Sequence, residues 1–190
     1  PRVATTEPSI AGLVIMAGDT QPLQHAAIRV ARYLARLHPG PEAEAAIKTM
    51  TRQAALVDSP ELSPSTPARE LPFGLSGSYW LDLRSYNPVS TAATLDKPML
   101  ILQGSRDYQV TVEDDLSQWK AGLGHRPEVT IRVYEEDNHL FFPGAGPSTP
   151  AEYDPAQHVD PAVVADIAKW LRPQPAMFAR FVSRVLRLKR

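Results

Sequence analysis

The stretch that decides the fold runs from Lys97 to His139 and reads KPMLILQGSRDYQV (97–110), TVEDDLSQWKAGL (111–123) and VTIRVYEEDNHLF (129–141). Its first part is an almost wholly apolar run opened by a proline and closed by Gly104, the pattern of a strand buried on both faces of a parallel sheet. Asp107 then falls on the turn leaving the C-terminal end of that strand, where open α/β sheets place ligands and chemistry. From Val112 to Leu123 a helix is predicted, with Glu113, Asp114 and Asp115 at its positive end and Val112, Leu116, Trp119 and Leu123 along one face. Val129 to Tyr134 alternates apolar and polar residues as a second strand, and His139 lies on the turn beyond it. A right-handed crossover makes the two strands parallel, so Asp107 and His139 leave the same edge of the sheet.

An acid on one such turn and a histidine on the next form two parts of a nucleophile, base and orienting-carboxylate relay. The histidine takes the nucleophile's proton and returns it to the leaving group, while the acid fixes the imidazole tautomer and stabilises the imidazolium. In order and spacing, residues 97–110, Asn138-His-Leu-Phe141 and Gly146-Pro-Ser-Thr-Pro-Ala-Glu-Tyr153 resemble bacterial carboxylesterase-type members of the α/β-hydrolase family. The resemblance spans most of residues 9 to 172. It implies an α/β fold, a parallel-sheet α/β-hydrolase fold with a helical cap insertion, and makes Asp107 the triad acid and His139 the triad base. It further implies a serine esterase that cleaves small-molecule acyl esters through an acyl-serine and needs no cofactor and no metal.

The family's nucleophile motif, Gly-x-Ser-x-Gly between a strand and a helix, does not occur in the chain. Gly74-Leu-Ser-Gly-Ser78 imitates it with the second glycine one position early, after Leu-Pro-Phe rather than a β-branched strand, so Ser76 lacks the strand-to-helix context a nucleophile needs. In relatives a stretch similar to Pro1-Arg-Val-Ala lies inside the helix just after the nucleophile elbow. The resemblance therefore implies a C-terminal portion, truncated ahead of the first strands, oxyanion hole and serine. The alternative is a non-catalytic binding module. Peptidase, lactonase or thioesterase activity on the same fold is a further alternative.

On this reading residues 1–19 hold the strand after the missing helix, with Ile10 to Gly18 as a buried apolar run. Asp19 leaves the end of that strand. Some family members draw their acid from this position, which makes Asp19 the alternative acid, while Asp-Thr-Gln-Pro also reads as the cap of the next helix. Residues 20–95 form the helical cap: helices over 21–37 and 42–57, an irregular Ser- and Pro-rich crossing over 58–72, and the aromatics Phe73, Tyr79 and Trp80, which either wall an acyl pocket or pack the cap onto the sheet edge. Residues 96–172 are the hydrolase core, ending in a helix capped by Asp160-Pro161 with Val163, Val164, Ile167, Trp170 and Leu171 as its apolar face. His25, His38 and His125 read as solvated and His158 as a loop residue.

Residues 173–190 make a basic amphipathic tail, in which Phe178, Phe181, Val182, Val185 and Leu186 form a stripe among arginines and lysines, suited to weak membrane-surface contact through 176–190 or to docking on the domain. A sheet cut through its middle also exposes an edge through which the chain would self-associate. The formal net charge of -1 gives no reason to expect nucleic acid. The absence of cysteine excludes a disulfide framework and a thiolate nucleophile, and it leaves the compartment open.

Overall fold

A computed structural model describes residues 1–172. The expected basic amphipathic tail, 173–190, lies outside the described residues.

The fold is a mixed α/β arrangement around a small parallel sheet of three strands in the order β1–β2–β3: β1 (Leu13–Met16), β2 (Met99–Gly104) and β3 (Val129–Tyr134). Every residue of β2 is buried. Alternation sends its side chains to two different helical layers. Met99 and Ile101 pack with Ala92 of α5 (Pro88–Ala93), Ala4 of α1 (Arg2–Thr6), and Trp119 and Leu123 of α6 (Ser117–Leu123). Leu100 and Leu102 face Phe141 and Val163, the latter on α7 (Pro161–Leu171). Burial on both faces is what a near-continuous apolar strand requires, and it fixes β2 as the centre of the sheet.

β1 differs from its sequence reading. Only four residues are extended, and Val14 and Met16 are 37% and 41% exposed because they alternate with Leu13 and Ile15 and point away from the core; among the described residues β1 pairs with β2. Leu13 and Ile15 reach the core from one face.

The insertion between β1 and β2 carries α2 (Leu23–Leu37), α3 (Pro41–Asp58) and α4 (Gly77–Arg84), joined by the Ser- and Pro-rich crossing with short 3-10 turns at Ala68–Glu70 and Pro72–Gly74. It has its own core of Val57, Leu62, Leu71 and Trp80, against which Leu23, Leu56 and Leu83 pack. Trp80 thus closes the cap on itself rather than onto the sheet edge. Ser76 sits at the N-cap of α4, where its Oγ accepts the Tyr79 N–H at 3.2 Å.

The crossover from β2 to β3 contains an irregularity that helical periodicity did not predict. Val112–Leu116 forms a π-helical turn, closed by the Leu116 N–H to the Thr111 carbonyl at 3.0 Å, before α6 begins. The apolar face of Leu116, Trp119 and Leu123 is buried as expected, and Asp115 is turned inward with it. Trp119 Nε1 donates to the Gly18 carbonyl at 2.8 Å, tying this helix to the end of β1. In α7, Val163, Ile167 and Trp170 pack on the sheet at i, i+4 and i+7, whereas Val164 and Leu171 are 56% and 65% exposed and belong to the outer face. Asp160 caps this helix as read, its Oδ1 accepting the Ala162 N–H.

Candidate active site

The parallel register brings the ends of all three strands to one edge, and the chemistry-bearing turns follow them. After Gly104 the chain turns so tightly against the His139 turn that a Cβ at Gly104 would lie 2.5 Å from the Asp137 carbonyl and 2.6 Å from that of Asn138. Glycine is the residue that permits this approach. Three residues on, Asp107 is buried with both carboxylate oxygens engaged. Its Oδ1 accepts the N–H groups of Gln109 at 2.8 Å and Val110 at 2.9 Å. Its Oδ2 accepts Gln103 Nε2 at 3.2 Å and His139 Nδ1 at 2.8 Å. Gln103 is itself fixed by the Val110 carbonyl at 2.8 Å.

With Nδ1 donating to a buried carboxylate, the neutral imidazole carries its free lone pair on Nε2. Among the described residues Nε2 has no hydrogen-bond partner, and the side chain keeps 28% of its surface open. The hydrogen bond to Asp107 holds the His139 pKa above the ordinary histidine value; burial opposes the shift, and the charges of Asp107 and Asp19 add to it.

The histidine turn is organised by Asn138, which is fully buried. Its Oδ1 accepts the N–H groups of Leu140 at 3.0 Å and Phe142 at 3.1 Å, and its Nδ2 donates to Glu152 Oε2 at 2.9 Å. Phe141 takes φ 59° to reverse the chain, an expensive conformation for an aromatic residue, and its ring is held in the core beside Leu102. Arg106 pins the following loop, donating to the carbonyls of Glu136, Ala145 and Gly146 and pairing with Glu152. The two positions flanking the sequence-read pair, Arg106 and Asn138, are thus the scaffold of the two turns. Both lie in the stretches that carry the family resemblance, but the sequence reading gave neither a role.

Asp19 stands at the end of β1 and close enough to His139 for its charge to be felt there. It does not cap α2, which starts after Pro22 without a side-chain cap. Instead its Oδ1 accepts the Gln21 N–H at 2.8 Å, and its carboxyl hydrogen-bonds that of Asp115. Burial first, then Asp115 through both its hydrogen bond and its charge, pushes the Asp19 pKa up to about 7. Asp115 is fully buried, which works against ionisation, but the N–H groups of Thr20 and Thr111, the Asp19 hydrogen bond and Arg29 outweigh that and hold it below the usual carboxylate range. Asp137, beside Asn138, is also fully buried, with neither carboxylate oxygen hydrogen-bonded among the described residues. Burial, together with the charges of Asp160 and Glu136, raises its pKa to about 6, Arg106 opposing.

A cavity of about 440 Å³ opens beside Asp19, between the β1–α2 turn and the cap, with Gln21, Tyr79, Leu83, Arg84 and Tyr86 in its wall. Tyr79 is therefore a cavity residue, while Phe73 points outward at 56% exposure. Ser76 does not join the site, since its hydroxyl is engaged as a cap in the insertion. The structure brings together Asp107, His139 and Asp19. His25 is not simply solvated, because its Nε2 lies 2.8 Å from Asp58 Oδ2; His38, His125 and His158 are exposed. Among the described residues no cluster of three histidine, aspartate or glutamate side chains has metal-ligand geometry.

A histidine whose Nδ1 is held by a buried aspartate and whose Nε2 is free can accept and return a proton at Nε2. The chain is similar to Esterase EstD of Thermotoga maritima, with 35% identity over 160 residues, which is 84% of this chain and 37% of that protein. It thus spans little more than a third of the relative's length. No family model matches the sequence.

Proposed function

We propose that this chain carries the acid and base of a serine esterase on an α/β-hydrolase fold, acting on small-molecule carboxylic esters. The observation that carries the reading is the 2.8 Å Nδ1–Oδ2 bond between His139 and a buried, fully satisfied Asp107, which leaves Nε2 free as a base. Similarity to a protein named as an esterase supports the same reaction class. Nε2 takes the proton of a serine hydroxyl as it attacks the ester carbonyl, and Asp107 stabilises the imidazolium that forms. The imidazolium then gives its proton to the departing alkoxide, leaving an acyl-serine. In the second half-reaction Nε2 takes a proton from water as it attacks the acyl carbon, and the imidazolium returns that proton to the serine oxygen as the acyl–serine bond breaks, releasing the acid and regenerating the serine hydroxyl and the neutral base.

The serine and the oxyanion hole are assigned to sequence outside these 190 residues, since Gly-x-Ser-x-Gly is absent and Ser76 is a helix cap. Fluorophosphonate labelling, read by intact mass and peptide mapping, tests this on the 190-residue chain and on the polypeptide of its whole reading frame. The expected result is no adduct on the former and one serine adduct on the latter, abolished by His139→Ala. A stoichiometric adduct on Ser76, or none on the longer polypeptide, overturns the assignment; the second outcome would favour a binding module.

A further inference from the structure

The relay of His139 and Asp107 makes no use of the most heavily bonded side chain at this edge of the sheet, the buried carboxylate of Asp115. Its Oδ1 accepts the N–H groups of Thr20 at 3.0 Å and Gln21 at 3.3 Å, together with the Thr20 hydroxyl at 3.2 Å. Its Oδ2 accepts the Thr111 N–H at 2.8 Å and Arg29 Nη2 at 2.9 Å. The same Arg29 nitrogen donates to the Gln109 carbonyl at 2.8 Å. Gln109 and Thr111 belong to the turn whose amides, those of Gln109 and Val110, hold Asp107 Oδ1.

We infer that Asp115 is a positioning residue for the His139–Asp107 pair, holding the acid turn at one end through the Thr111 N–H and in its middle through Arg29 and the Gln109 carbonyl. The inference rests on the esterase reading only in calling that pair catalytic. Three elements meet at this carboxylate: the β1–α2 turn, the cap helix α2, and the crossover from β2. Asp115 lies four residues before Trp119, on the buried side of the crossover helix, which turns its carboxylate toward the other two elements. The acid turn runs from Ser105 to Thr111 and contributes no helix or strand of its own, so its conformation depends on such side-chain anchors. A carboxylate that must meet an imidazole at hydrogen-bond distance is sensitive to displacements well below 1 Å.

Nuclear magnetic resonance of the uniformly 15N-labelled chain tests this without substrate. The readouts are the downfield Nδ1–H proton of His139 and the pH titration of its ring. Asp115→Ala is compared with its parent in an Asp19→Asn background, so that ionisation of Asp19, freed from its partner, cannot drive the His139 titration the other way. The expected result is loss or upfield movement of the Nδ1–H signal and a His139 pKa lower than in the parent, with shifted Gln109 and Val110 amides. Asp114→Ala, which removes the exposed carboxylate that also meets Arg29, leaves the His139 signals in place. If Asp115→Ala does not fold, Asp115→Asn keeps the volume and one acceptor oxygen and carries the same test. A lowered Tm with an unchanged His139 signal and titration well below Tm makes Asp115 merely structural and overturns the inference. Because the pair itself is observed, absence of esterase activity in the longer polypeptide would leave this result standing.

Discussion

Replacing Asp137 by asparagine should stabilise the protein above pH 6 and do so much less below pH 4. The carboxyl is fully buried, neither oxygen is hydrogen-bonded among the described residues, and Asp160 and Glu136 add negative potential that Arg106 only partly offsets. Its folded pKa of about 6 stands against an ordinary value of 3.8, so between those pH values the native state binds the proton more tightly than the unfolded chain. Stability therefore falls as pH rises through this window and is flat above it with respect to this group. The gap corresponds to about 3 kcal/mol at full effect, and solvent relaxation around the site reduces the expected gain to about 1–2 kcal/mol. The asparagine amide inherits an unpaired site, a cost common to both ends of the pH range. The assay is urea denaturation of wild type and Asp137→Asn at pH 4 and pH 7.5, read as the double difference, in which titration of Asp19 and the other groups cancels. Equal effects at the two pH values, or a net loss confined to pH 7.5, would refute the assignment of a strained carboxyl beside the His139 turn.

Three further outcomes follow from the same structure. In the polypeptide that carries the serine, kcat/KM should rise with pH through an apparent pKa above the ordinary histidine value, since the base works only when neutral and Asp107 favours its protonated form; a pH–rate profile with its acid limb below that value would disagree. Ser76→Ala should cost about 1 kcal/mol in urea denaturation through loss of the α4 cap while leaving ester turnover unchanged. Leu102→Ala, in the centre of β2 beneath Phe141, should cost about 2–5 kcal/mol, measured the same way, and a cost below 1 kcal/mol would contradict a sheet covered on both faces.

Where side chains follow a period, the sequence was legible. The almost wholly apolar run of 97–104 demanded burial on both faces, which β2 shows over Met99–Gly104, and the alternation of Val129–Tyr134 gave the neighbouring strand with its bounds. Those two strands and the helix between them sufficed to bring Asp107 and His139 to one edge. Other features depended on partners distant in sequence. Ile10–Gly18 is as apolar as β2, yet whether such a run is central or at an edge depends on what lies beside it. Asp115 read as one of three acids at the positive end of a helix, a dipole rationale that already explained its charge. Its spacing of four from Trp119 on the buried stripe was the available sign. Asp19 had the composition of a cap, and only the approach of Asp115 from the crossover made it half of a carboxyl pair. Asn138 and Arg106 stood inside the quoted stretches but received no role, because their work is to hold backbone, which residue type alone does not reveal.

The most direct test of the account is kcat/KM for a short-chain p-nitrophenyl ester with the serine-bearing polypeptide, comparing wild type with Asp107→Asn. Asparagine keeps the shape but removes the charge that fixes the Nδ1–H tautomer and stabilises the imidazolium, so a fall of about 10⁴-fold in turnover is expected. Activity within a few-fold of wild type would contradict the assignment of Asp107 and His139 as the orienting acid and the base.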